Sequence, residues 1–206
     1  MSIVLYDNEL DDGCYKVRLM LAALHLEHQR VPVGSGPLTP ALRRLNPRGT
    51  LPILTDNGLV LHGGEAIVTF LARRYDPLDR WFPADDPVLF GQAMIWLSFG
   101  AEALRPVSVA RRQAMFEVEA PSARILAAAR TSFRVMEDHM TARGFDAGRW
   151  FVGERPTVAD VVLFPAFALS RDAGIEHDAY PALRRWSRRF RTIPGFTTMP
   201  GIPDYY

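Results

Sequence analysis

Apolar and polar positions change period several times along the first 75 residues, then settle into one. The opening run "SIVLY" (2–6) predicts a strand. Residues 13–25 predict a helix with Val17, Leu21 and Leu24 on one face. "HQRVPV" (28–33) predicts a second strand, and "TPALRRL" (39–45) a short helix. "LPILTDNGLVL" (51–61) predicts a hairpin, because its two apolar runs meet at Asp56-Asn57-Gly58, a strong turn signal. Residues 64–75 predict a helix with Ile67, Phe70 and Leu71 inward and Arg73 and Arg74 outward. The order βαβαββα implies a mixed sheet with helices on its faces.

"DPLDRWFPADDP" (76–87) breaks the pattern, with three prolines and four aspartates in twelve residues, and predicts a linker. Every periodic segment beyond it is helical. Residues 88–104 are apolar on nearly every side, which predicts a helix buried by more than one neighbour, kinked or ended at Pro106. Residues 122–142 carry a stripe of Leu126, Ala129, Phe133, Met136 and Met140, and two shorter helices are predicted at about 157–170 and 181–191. The expected organisation is therefore a first domain over 1–75, a linker over 76–87 and an all-helical domain over 88–206.

Composition adds exclusions. The chain has 206 residues, 48% of them hydrophobic and 23% charged, with a net charge of +1. That balance argues against nucleic acid as the main partner. Lys16 is the only lysine among 24 basic residues, a bias read as one of coding rather than chemistry. The single cysteine, Cys14, excludes an internal disulfide and is compatible with a reducing compartment. With no signal-peptide pattern and no apolar run of about 20 residues, the expected location is the cytoplasm, away from membranes. No cluster has metal-ligand spacing and no Gly-rich phosphate loop occurs.

Three short motifs carry the chemistry. In "LDDGC" (10–14), two aspartates lead into a helix whose free N–H groups and dipole favour a negative charge. Asp11 suits either a plain N-cap or an acid/base group. "NPRGTLPIL" (46–54) puts Pro52 at a strand entry, where a cis bond and a plain trans edge proline both fit. "ERPTVADVV" (154–162) sets Thr157 and Asp160 at capping-box spacing before an apolar run, a structural helix start.

Taken together, the βαβαββα order, "LYDNEL…CYKVRLMLAAL", "LNPRGTLPIL", "GEAIVTFLARRY", the all-helical second half and the "TVAD" box resemble a bacterial glutathione transferase over nearly the whole chain. The resemblance implies an α/β thioredoxin-like N-terminal domain plus an all-α C-terminal domain, a cis Leu51–Pro52 bond and a two-fold homodimer. It further implies that glutathione lies on the first domain, with an apolar co-substrate in the inter-domain cleft. The family commonly has Ser, Tyr or Cys where this chain has Asp11; a hydroxyl there lowers the pKa of the glutathione thiol, whereas an ionised carboxylate repels the thiolate.

Two further positions depart from the family. A Glu-Ser or Asp-Ser pair usually grips the γ-glutamyl end of glutathione; here Gly63 and Gly64 offer only backbone N–H groups, and Glu65 is expected to point elsewhere. The loop that often supplies a side chain to the glycyl end reads Pro37-Leu38. Of the inherited contacts, the backbone of Leu51 beside Pro52 remains. Cys14 sits at the second cysteine of a C-x-x-C pattern whose first is replaced, and reads as a small buried hydrophobe or a resolving thiol. His62 reads as a turn residue or a cationic anchor. The arginines at 184, 185, 188, 189 and 191 read as a solvated helix side or a surface for an acidic partner. Met94, Trp96 and Phe99, with Arg105 and Arg111, are expected to line an apolar cleft suited to a hydrophobic acid, or else to pack core and dimer. The functional expectation is a glutathione transferase-like enzyme acting on an apolar small molecule, with glutathione use weakened or lost and Asp11 as its acid/base group. An ordinary glutathione S-transferase relying on backbone contacts and a non-catalytic binding protein of the same fold are the rivals.

Overall fold

A computed structural model describes residues 2–116, 120–144 and 149–202. Strands β1 (Ile3–Asp7), β2 (Gln29–Pro32), β3 (Ile53–Asp56) and β4 (Leu59–His62) form one sheet in the order β2-β1-β3-β4. β1 pairs parallel with β2 and antiparallel with β3, and β3 pairs antiparallel with β4. Leu5 stands opposite Leu54, which brings two fully buried leucines together on neighbouring strands. Helices α1 (Asp12–Ala23) and α3 (Gly64–Tyr75) pack on each other, while α2 (Pro40–Leu45) buries no residue. In α3, Ile67 and Leu71 are fully buried and Phe70 packs at the edge of the core.

The second half holds α4 (Pro87–Glu102), α5 (Arg105–Phe116), α6 (Ala123–Ala142), α7 (Val158–Ala168), a short 3-10 helix (Ser170–Ala173) and α8 (Pro181–Phe190). Helix α7 is buried along its whole length and touches α1, α3, α4 and α8, so one apolar segment ties both halves together. Its Phe164 stacks on Phe190 with centroids 4.4 Å apart and meets Tyr15 of α1 at 6.4 Å. The capping box forms as the spacing predicts: Thr157 Oγ1 accepts from Ala159 N–H at 3.3 Å, and Asp160 accepts from Thr157 N–H at 2.8 Å. The stripe on α6 turns inward, with Ala129, Phe133, Met136 and Met140 buried and Leu126 at the edge.

The chain then returns to α1. Tyr15 donates its hydroxyl proton to the Thr197 carbonyl at 2.6 Å, and Gly195 (φ 77°) passes so close that a Cβ would lie 2.3 Å from the Ala22 carbonyl oxygen. Only glycine fits this crossing.

One expectation is corrected here. Helix α4 is not buried all round: Val88, Met94 and Ile95 are exposed at 67%, 44% and 64%. Its apolar residues encircle the helix, but α7 covers one side of it. As expected, α4 ends ahead of Pro106: its last residue is Glu102, the break lies at Ala103–Leu104, and Pro106 sits in the first turn of a new helix, where its missing N–H costs nothing. Within Pro87–Phe116 an 18-residue window reaches a mean hydropathy of 1.2, but the stretch is broken at Ala103–Leu104 into α4 and α5.

Candidate functional site

A cavity of about 670 Å³ opens where the N-termini of α1 and α3 meet α5. Its floor comes from the first domain: Asp11, Asp12, Gly13 and Lys16 of the first turns of α1, Leu51 and Pro52 at the entry to β3, and Gly63, Gly64 and Glu65 at the start of α3. Its far wall comes from Ala101, Ser108, Arg111, Arg112 and Phe116. Arg48 and Leu38 also line it.

Asp11 is the N-cap of α1. Its Oδ1 accepts from Cys14 N–H at 2.7 Å, satisfying one of the helix's orphan donors. The carboxyl is nevertheless raised from 3.8 to about 6, first by burial and then by the neighbouring Asp12; the Cys14 N–H bond and Lys16 pull the other way. Thus the two readings of Asp11 are not exclusive. One oxygen caps while the group remains a carboxyl that titrates near neutrality.

Lys16 is the residue that sequence reasoning passed over. It is 6% exposed, and its Nζ donates to Glu65 Oε1 at 2.7 Å. Burial alone would lower its pKa, but Glu65, Asp12 and Asp11 outweigh burial and raise it, so the ammonium stays charged. A lone lysine among arginines was a signal of sorts. Glu65 accordingly corrects its expectation: it lines the cavity and pairs with Lys16 rather than pointing away.

The glycine pair has a physical reason. A Cβ at Gly64 would lie 3.2 Å from both Gly13 O and Lys16 Cδ, a tight fit that requires these neighbours to give by a few tenths of an ångström. Gly63, with φ at 87°, donates its N–H to the Pro52 carbonyl at 3.3 Å, so that group is not free for an anion; Gly64 keeps the helix-start position. The Leu51–Pro52 bond is cis. Gly63 and Gly64 thus present backbone but no side chain to the cavity.

Other predicted residues fall outside this cavity. Met94 lies on the exposed side of α4, and Trp96 is 7% exposed against Phe99, His139 and Phe151. Phe99 packs at the edge of that core, and Arg105 is exposed at the start of α5. Helix α4 reaches the cavity only with Ala101, in its last turn, and its aromatic residues serve packing; of the predicted set, Arg111 alone lines the wall. Cys14 is fully buried, its Sγ accepts from Asn8 N–H at 3.4 Å, and burial with Asp11 nearby pushes its pKa far up, so the thiol is inert. His62 closes β4 and is not part of the lining. In α8, Leu183, Trp186 and Phe190 face inward; Arg184 pairs with Asp178, and Arg189 donates to the Arg149 carbonyl.

Residues 12–79 match the family described as glutathione S-transferase, N-terminal domain, and residues 119–189 match glutathione S-transferase, C-terminal domain. Maleylacetoacetate isomerase of Pseudomonas aeruginosa is 29% identical over 213 residues, covering 93% of this chain and 92% of that protein. A probable maleylacetoacetate isomerase of Vibrio cholerae is 25% identical, covering 95% and 94%. A possible glutathione S-transferase from Rhodopseudomonas palustris superposes with a TM-score of 0.84 at 27% identity, over 98% of this chain and 99% of that one. A glutathione transferase homologue from Lodderomyces elongisporus, solved with two GSH per subunit, superposes at 0.83 and 25% identity, covering 95% of each chain.

Proposed function

The chain belongs to the glutathione transferase superfamily, and from that premise we propose that it is an enzyme acting on a small molecule in the cavity between α1, α3 and α5, with glutathione held weakly. The observation that carries this reading is Asp11: a carboxyl titrating near neutrality lines a cavity of substrate size at the start of a helix. Ionised above about 6, it can accept a proton from a nucleophile bound in the cavity, and protonated it can return one. The apolar part of the ligand lies against Leu10, Leu38 and Phe116, and its polar part faces the charged floor. In this reading the first domain spans 1–75, the linker 76–87 and the helical domain 88–206, and the protein works in the cytoplasm.

Glutathione should bind at least about tenfold more weakly than to a family member with an intact acidic-Ser pair, since charge-assisted hydrogen bonds contribute ~1.5–3 kcal/mol each. Isothermal titration measures this, and a micromolar dissociation constant would overturn it. That result would favour the second reading, an ordinary glutathione S-transferase relying on backbone contacts; Leu51, whose N–H and C=O remain unpaired among the described residues, supports it.

The protein also works as a homodimer in this reading. Val88, Met94 and Ile95 on α4, with Leu59 and Val60 on β4, form exposed apolar surface of the kind that subunits cover. Sedimentation should give twice the chain mass, and Ile95→Glu should shift it to the monomer. A wild-type monomer at high micromolar concentration would remove this part.

A further inference from the structure

Two hydrogen bonds from one face of α5 cross to the first domain, and they land on the two residues that flank Asp11. Ser108 Oγ donates to Asp12 Oδ2 at 2.5 Å. Arg111 Nη1 donates to the Leu10 carbonyl at 2.5 Å. Ser108 and Arg111 are three residues apart, so they share a side of the helix. Arg111 is itself fixed: it is 4% exposed, and its Nε donates to Asp172 Oδ2 at 2.8 Å. A guanidinium is a planar fork that can hold two acceptors in fixed directions at once. Here it joins the loop after β1 to the short 3-10 helix through one buried side chain.

We propose that Ser108 and Arg111 are positioning residues, through which the helical domain sets the orientation and the charge of Asp11. This rests on the reading of Asp11 as the acid/base group. A brace meant only to hold the domains together could anchor at any point on their contact. These two anchor at Leu10 and Asp12, on either side of the carboxyl. Their effects differ in kind. The Leu10 carbonyl is a backbone group, so Arg111 governs where the chain enters the helix and hence where Asp11 points. Ser108 governs charge, since its hydroxyl proton is shared with Asp12, the carboxylate that raises Asp11 most after burial. The other ionisable groups facing Asp11 are Lys16 and Cys14 on α1, Glu65 on α3, Arg111 and Arg112 on α5, and Arg48.

Removing the Ser108 hydroxyl leaves Asp12 with one donor fewer, so its negative charge bears more fully on Asp11. Asp11 should then hold its proton more tightly. The test is the titration of the Asp11 carboxyl, followed by carbon NMR on the whole unliganded protein and assigned by its absence in Asp11→Asn. In Ser108→Ala the midpoint should rise by about half a unit or more, with the thermal midpoint little changed, and Ser108→Thr should bring it back. Arg111→Lys keeps the charge but cannot span both Leu10 and Asp172, so the Asp11 resonance should shift in position. An Asp11 titration identical in wild type and Ser108→Ala would overturn the proposal, as would a shift that Ser108→Thr fails to reverse. Full activity of Asp11→Asn would instead remove the reading on which the proposal rests.

Discussion

Asp11→Asn should abolish turnover while leaving the fold almost untouched. Loss of a positioned acid/base group costs about 10²–10⁴ in rate. Asn caps helices as well as Asp does, and its side-chain oxygen can still accept from Cys14 N–H, so the thermal midpoint should scarcely move. The pH dependence has a definite sign. Because the folded-state pKa lies above the usual carboxylate value, at about 6, the native state holds this proton more tightly than the unfolded chain does. The resulting stability is present in full below about 4 and is lost as pH rises through about 6. Asp11→Asn should remove that slope. If Asp11 works as a base, the rate of the wild type should rise with pH over the same interval. Asp11→Ala, by contrast, should cost about 0.5–2 kcal/mol of stability through the lost cap. Asp11→Ser should raise glutathione conjugation only in part, since Gly63 and Gly64 still provide no side-chain grip. An Asp11→Asn enzyme with full activity would leave the residue as a cap and nothing more.

Asp160→Ala should be the most damaging single change to the fold. The carboxylate is completely buried and collects four donors: Phe151 N–H at 3.0 Å, Thr157 N–H at 2.8 Å, Thr157 Oγ1 at 3.2 Å and Trp186 Nε1 at 2.9 Å. Burial outweighs these donors, which favour the ionised form, and leaves the carboxyl raised to about 6. Removing it strands several buried N–H groups at once, and breaking a buried charged network of this kind costs about 3–5 kcal/mol. The loss falls at the start of α7, the helix that both halves of the protein share. For a chain of this size about 2–4 °C accompanies each kcal/mol, so the melting midpoint should fall by at least about 6 °C. Thr157→Ala should cost less, about 0.5–2 kcal/mol, because it removes a cap and leaves the carboxylate in place. Thermal melts of the two variants side by side check the order. An Asp160→Ala protein melting within a degree or two of wild type would show that α7 needs no such anchor.

Much of the architecture was legible in the chain because it is decided locally. The Asp56-Asn57-Gly58 turn, the inward stripe of α6 and the Thr157–Asp160 box each depend on residues within a few turns of one another, and the period of apolar positions records them. The order of those elements implies a mixed sheet with helices on its faces, and the resemblance to glutathione transferases supplied the particular fold. Asp11 was legible as a cap for the same reason, since its partner Cys14 is three residues away.

What the packing decided is the character of the site. Lys16 meets Glu65 across 49 positions, Ser108 meets Asp12 across 96, and Arg111 meets Leu10 across 101. No periodicity reports such pairs, because each depends on how whole helices are turned against one another. The aromatic residues of α4 show the same limit from the other side. Trp96 and Phe99 look equally fit for a cleft or a core in an apolar helix, and the rotation of α4 against its neighbours sends them to the core. Sequence alone determined which segments are strands and helices and where Asp11 caps one of them, since backbone hydrogen bonding and apolar period act over short range. Tertiary structure decided that the same carboxyl titrates near neutrality beside a buried lysine, because desolvation and charge act through space rather than along the chain.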